Sequence, residues 1–173
     1  MHGDRMTMSR QTRVRFAAAA FLFFVAAESR AESSGTPSVS RVEIVVSAQY
    51  KDRLDVLTQE FVAAGLANVH VQVARRGSPP TNIGLGAQVP ADKAREAIRL
   101  ALKYNHAVSI LLPERLFPPR FVTIASSNFD DTVESPILSE DLTHLLDPSL
   151  ATEQFHELYR RLTSVPLKPA GRY

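Results

Sequence analysis

The chain has no cysteine, no tryptophan, only seven glycines in 173 residues, and a formal charge of just +2. Each shortage closes a class of function. Without thiols there is no disulfide frame, no thiolate nucleophile and no cysteine-held zinc, so stability must come from apolar burial. A membrane-spanning helix needs about 20 consecutive apolar residues. The run from Phe16 to Ala27 has twelve and stops at Glu28.

That run has a different use. Arg10, Arg13 and Arg15 precede it, and Ser29-Arg30-Ala31 follows with small residues at the two positions a signal peptidase reads. A cationic start, an apolar stretch of about 7–15 residues and an A-x-A-like end make a secretory signal peptide, so residues 1–31 are expected to be removed between Ala31 and Glu32. The absence of cysteine excludes a lipid-modified mature end. The lack of an adjacent Arg-Arg pair before the run points to unfolded export, not the twin-arginine route. Met6 and Met8 are alternative starts, the latter giving the more compact signal. Periplasmic or secreted localisation follows as the expectation.

Cleavage changes the electrostatics. It takes five of the 20 basic residues and two of the 18 acidic ones, which leaves a mature chain slightly negative. Such a domain has no general attraction for nucleic acid or anionic lipid, and after cleavage no membrane span is expected. The remainder is long enough for one domain with a real core. Residues 32–40 (ESSGTPSVS) have the composition of a flexible leader, residues 41–164 are expected to form a single α/β domain, and residues 165–173 (VPLKPAGRY) a flexible tail. No solenoid period is visible.

Within 41–164 the pattern alternates. Val42 to Val46 is a β-branched strand signal. Leu54, Leu57, Phe61 and Val62 form the stripe of an amphipathic helix, with Gly65 near its stop. Val69, Val71 and Val73 alternate with His70 and Gln72, describing a strand with one buried face. Ile83 and Leu85 make a short strand interrupted by Gly84 and Gly86. Pro90 opens a helix whose buried face is Ala94, Ala97, Ile98, Ala101 and Leu102, ending near Asn105. Val108 to Leu112 and Phe121 to Ala125 are further strands; Leu138 to Leu146 and Leu150 to Leu162 are helices, the last with Phe155, Leu158, Tyr159 and Leu162 as its stripe. Two successive strand-helix-strand units predict an α+β, ferredoxin-like βαββαβ sandwich with a C-terminal strand and helices. A small parallel α/β sheet is the alternative, since crossover handedness suits both.

The order of these elements, with Ile83-Gly84-Leu85-Gly86-Ala87-Gln88-Val89-Pro90 leading into Lys93-Ala94-Arg95-Glu96-Ala97, resembles the SPOR domain over about residues 41–112. SPOR domains bind peptidoglycan glycan strands that lack stem peptides, through the sheet face opposite their helices. The resemblance therefore implies wall binding by groups such as His70 and Gln72. The first strand departs from that family, ending Ser47-Ala48-Gln49-Tyr50 without its glycine-aromatic close.

Other chemistry is sparse. Arg75-Arg76-Gly77 is a candidate anion site, because arginine offers a planar donor fork and glycine admits close approach; two solvated loop arginines are the plainer account. Gly84-Leu85-Gly86 lacks the third glycine of a dinucleotide fingerprint. Asp130, Asp131 and Glu134 place three carboxylates in one polar loop and are candidate ligands for a hard cation, though without EF-hand spacing. No H-E-x-x-H or G-x-S-x-G motif occurs. His156 and Arg160 lie one turn apart and are expected on the solvent face of the last helix. The reading reached is a non-enzymatic binding module of the cell envelope, without a cofactor, its partner peptidoglycan or an envelope protein. Two alternatives stand beside it: a small envelope hydrolase using the 126–134 loop, and a subunit docking through its C-terminal helix.

Overall fold

The structure is a computed structural model and describes residues 39–75, 77–105, 107–129 and 136–164. The segments read as signal, leader and tail lie outside those residues, apart from Val39 and Ser40. The described elements are β1 (Arg41–Val46), α1 (Leu54–Ala63), β2 (Val69–Val73), β3 (Asn82–Leu85), α2 (Ala91–Asn105), β4 (Ile110–Leu112), β5 (Phe121–Ile124), α3 (Ser139–Leu145) and α4 (Thr152–Leu162). Short 3-10 turns at Ala48–Arg53 and Glu114–Leu116 precede α1 and follow β4. The periodicities thus mark the described elements within a few residues of their ends.

The strands form one mixed five-stranded sheet in the order β2-β1-β5-β3-β4. β1 pairs parallel with both β2 and β5, β3 pairs parallel with β4, and β3 meets β5 antiparallel. The α+β class holds, but the ferredoxin-like order is not confirmed. In that order an antiparallel strand separates the two strands of each unit; here they are direct neighbours, and β5 sits between the units. Nor is the sheet wholly parallel, because the second unit runs against the first.

The two units run in opposite directions and step outward to opposite sides of β5. Parallel crossovers are right-handed. Reversing both the strand direction and the lateral step preserves that hand, so α1 and α2 fall on the same face of the sheet. Leu57 and Phe61 of α1 and Ala94, Ala97, Ile98 and Ala101 of α2 accordingly share one core with Val42, Ile44, Ile83, Leu85 and Val122. Val62, expected in the stripe of α1, is 57% exposed, whereas Leu57 and Phe61 are fully buried and Leu54 packs partly against the core. Phe155 and Tyr159 of α4 complete the core, each side chain of this kind stabilising by about 1.5–3 kcal/mol on burial.

Charge and capping tie the helices together. Lys103 Nζ bonds Glu60 Oε2 at 2.6 Å, joining α2 to α1. That contact, and after it the Tyr104 hydroxyl, holds the Glu60 carboxyl below the usual carboxylate range. Lys93 Nζ donates to the Ala64 carbonyl at 3.0 Å beyond the end of α1, where Gly65 turns the chain with φ +77°. Arg95, also buried, donates to the carbonyls of Asp147 and Leu150 and so pins the connection between α3 and α4.

The glycines flanking Leu85 have a packing cause. A Cβ on Gly84 would overlap the ring of Phe117, and one on Gly86 would overlap the backbone of Pro118 and Pro119. Gly86 N–H bonds the Phe121 carbonyl at 2.8 Å and Gln88 N–H bonds that of Pro119 at 2.7 Å, so the proline segment is drawn onto the glycine. These two glycines allow chains to touch, a use that needs no phosphate.

Candidate functional site

Among the described residues, the face of the sheet away from α1 and α2 has two halves. Over β3 and β5, Phe117 stacks on Phe121 with centroids 5.9 Å apart and meets Phe129 edge-on at 5.7 Å, forming an aromatic roof above Gly84 and Thr123. Over β1 and β2 the side chains that point this way are polar or half-buried: Glu43 and Val45, paired in register with His70 and Gln72. His70 and Gln72 are both exposed, as their alternation with the β2 valines predicts.

Where the halves meet lies a polar cleft of ≈ 150 Å³ bounded by Glu43, Gln72, Thr123 and the turn Ser126 to Asn128. The turn is held in an unusual shape. Ala125 has φ +57°, a left-handed conformation rarely taken by a residue with a Cβ. Buried Asn82 enforces it. Its Oδ1 accepts from Ser126 N–H at 2.8 Å, and its Nδ2 donates to the carbonyls of Ser126 and Phe129 at 3.1 and 3.3 Å. Strain maintained by a fully satisfied buried amide marks a turn whose position is specified. Sequence reasoning passed over Asn82; its only signal is a lone amide opening an otherwise apolar strand.

The second constellation lies beyond the carboxyl ends of β3 and β4. Glu114 and His156, 7% and 5% exposed, are paired through Glu114 Oε1 and His156 Nδ1. His156 Nε2 meets the Val89 carbonyl at 2.7 Å, and Glu114 Oε2 receives Arg160 Nη1 at 3.4 Å. The expectation that His156 belongs to a solvent face is therefore wrong. Helical spacing placed it beside the Phe155–Tyr159 stripe, and only the β3–α2 loop and the 114–116 turn, remote in sequence, bury it. Arg160 does stay largely exposed.

This trio cannot act as an acid-base dyad as it stands. The carbonyl requires a hydrogen on Nε2, so neither ring nitrogen is free, and both carboxylate oxygens are engaged. Next to it, the Tyr159 hydroxyl donates to the carbonyls of Leu112 and Ile83 at 2.8 and 3.2 Å, and complete burial raises its pKa far above the ordinary phenol value.

The remaining predicted residues separate. Arg75 is exposed after β2, close in sequence to Gly77 with φ +65°, while Arg76 lies outside the described residues. Asp130, Asp131 and Glu134 also lie outside them, so the carboxylate loop is not placed. Among the described residues no cluster of three metal-ligating side chains occurs, and no helix is long and apolar enough to cross a membrane. Of the predicted α4 stripe, Phe155 and Tyr159 are buried inside the domain and Leu158 and Leu162 are half-buried. Ser126, in the loop considered for hydrolysis, is 8% exposed and its hydroxyl accepts from Asn128 N–H. No protein-family model, curated protein or solved structure matches the chain.

Proposed function

We propose that this chain is an exported binding module of the cell envelope that holds a glycan strand of peptidoglycan on the uncovered half of its sheet. The observation that carries the reading is the pairing of exposed His70 and Gln72 with an adjoining polar cleft. Gln72 offers both donor and acceptor, Glu43 offers the acceptor capacity left by its 2.8 Å ion pair with Arg41, and the exposed Ser127 and Asn128 line the far wall. A glycan rich in hydroxyl and acetamide groups is held by such a mixture of short-range donors and acceptors. Both crossover helices lie on the other face, so a long polymer meets no obstruction from them.

The experiment is co-sedimentation of the purified protein with isolated sacculi, before and after amidase removes the stem peptides. Binding that rises on stripping, and falls in the double variant His70→Ala, Gln72→Ala, is expected. Failure to sediment with either preparation overturns the reading and shifts attention to a protein partner.

A further inference from the structure

A cavity of ≈ 500 Å³ opens beside the buried Glu114–His156 pair and shares no lining residue with the polar cleft. Its walls are apolar where Pro113, Phe117 and Pro119 line it and cationic where Arg115 and Arg160 do. The parallel pair β3 and β4 ends here, and the connection that leaves β4 supplies most of the wall.

The charge of this cavity follows from counting hydrogens. The Val89 carbonyl takes the hydrogen on Nε2 of His156, and a single hydrogen lies between Nδ1 and Glu114. Whichever atom holds that hydrogen, the histidine and the glutamate together are neutral. Among the described residues no other carboxylate pairs with either arginine, so the pair and the two arginines together carry net positive charge, of which the α4 carboxyl end with its partial negative charge offsets only a fraction. Arg160 uses one of its five N–H donors on Glu114 Oε2, which fixes the direction of the fork and leaves the others for a ligand.

A buried ion pair is weak support for stability, since two apolar residues of similar volume would serve as well or better. Here the pair has a geometric consequence: it anchors an exposed arginine from below, through a chain running from the Val89 carbonyl to His156, Glu114 and Arg160. We infer that this cavity is a second ligand site, for a small amphipathic oxyanion whose carboxylate or phosphate head is gripped by Arg160 and Arg115 while its apolar body lies on Pro113, Phe117 and Pro119. The cavity size is that of small-molecule sites, about 300–1,000 Å³. The site is separate from the glycan face, and neither reading depends on the other.

The test is calorimetric titration of the purified protein with octanoate, octyl phosphate, 1-octanol and inorganic phosphate. Octanoate or octyl phosphate should bind at least about tenfold more tightly than the neutral alcohol or the bare anion, the preferred head distinguishing a carboxylate ligand from a phosphate ester. Arg160→Ala and, separately, Arg115→Ala should each weaken that binding by about tenfold. Arg115 is exposed and has no part in the buried pair, so its variant reports binding without a folding complication. Sedimentation with sacculi should be the same in both variants and the parent. Octanol binding as tightly as octanoate, no binding of either amphiphilic anion, or affinity unchanged in both arginine variants overturns the inference.

Discussion

The two strand-helix-strand units of this sheet have the same connectivity and opposite fates. In the first, β2 alternates half-buried valines with exposed His70 and Gln72. In the second, every residue of β3 and β4 is buried. The helix face is filled in both, so the difference arises on the other face and at the edges. The aromatic roof lies over the second unit only, Tyr159 of α4 bonds carbonyls of β3 and β4, and the Ser109 and Leu111 carbonyls beside and within β4 accept from Ile137 and Ser164. A sheet covered on both faces reads as continuous apolar sequence, as in Ile110-Leu111-Leu112, whereas one covered on a single face alternates. The first unit thus keeps spare polar surface, and the sealed unit is the one whose interior polar groups must all be satisfied.

Substitutions test that contrast. The largest effect is expected from Glu114→Ala, which strips His156 and Arg160 of their partner and should cost about 4 kcal/mol of unfolding free energy in a urea titration. Gly86→Ala should follow at about 3 kcal/mol, since its new methyl meets the Pro118 and Pro119 backbone, which cannot swing aside. Tyr159→Phe keeps the ring and removes the hydroxyl; the loss should be about 1–2 kcal/mol, with amide exchange in β4 rising more than in β2. In the open unit, Gln72→Ala should stay within about 0.5 kcal/mol of the parent while lowering retention on sacculi. A Gln72 variant that unfolded the domain would erase the distinction between the halves.

The smallest effect concerns pH. The folded-state pKa of Glu60 is lowered, so its bond to Lys103 contributes fully above the ordinary carboxylate range and is lost as pH falls through the depressed value. Melting temperature should decline slightly less on acidification in Glu60→Gln than in the parent, and the difference should shrink in high salt because the pair is solvent-exposed.

Much of this was legible in the residues. Alternation in Val69 to Val73 correctly exposed His70 and Gln72, and the helical spacing of Phe155 and Tyr159 correctly buried them. The candidate cavity was not legible. Its arginines come from the 114–116 turn and from α4, 45 positions apart at Arg115 and Arg160, and no local period relates them. Asn82 was missed for the same reason, since its partners are at Ser126 and Phe129.

The sequence by itself determined what neighbours along the chain can decide: the described strands and helices, the faces they bury, and the lack of any thiol chemistry. Tertiary structure decided the strand order, the burial of His156 and the strained turn at Ala125. Side-chain period is a property of one element, and it says which face is apolar without saying what that face will meet. The insertion of β5 between two reversed units depends on hydrogen bonds between segments some 80 residues apart, such as Arg41 beside Phe121, and only the folded chain brings those groups within reach of each other.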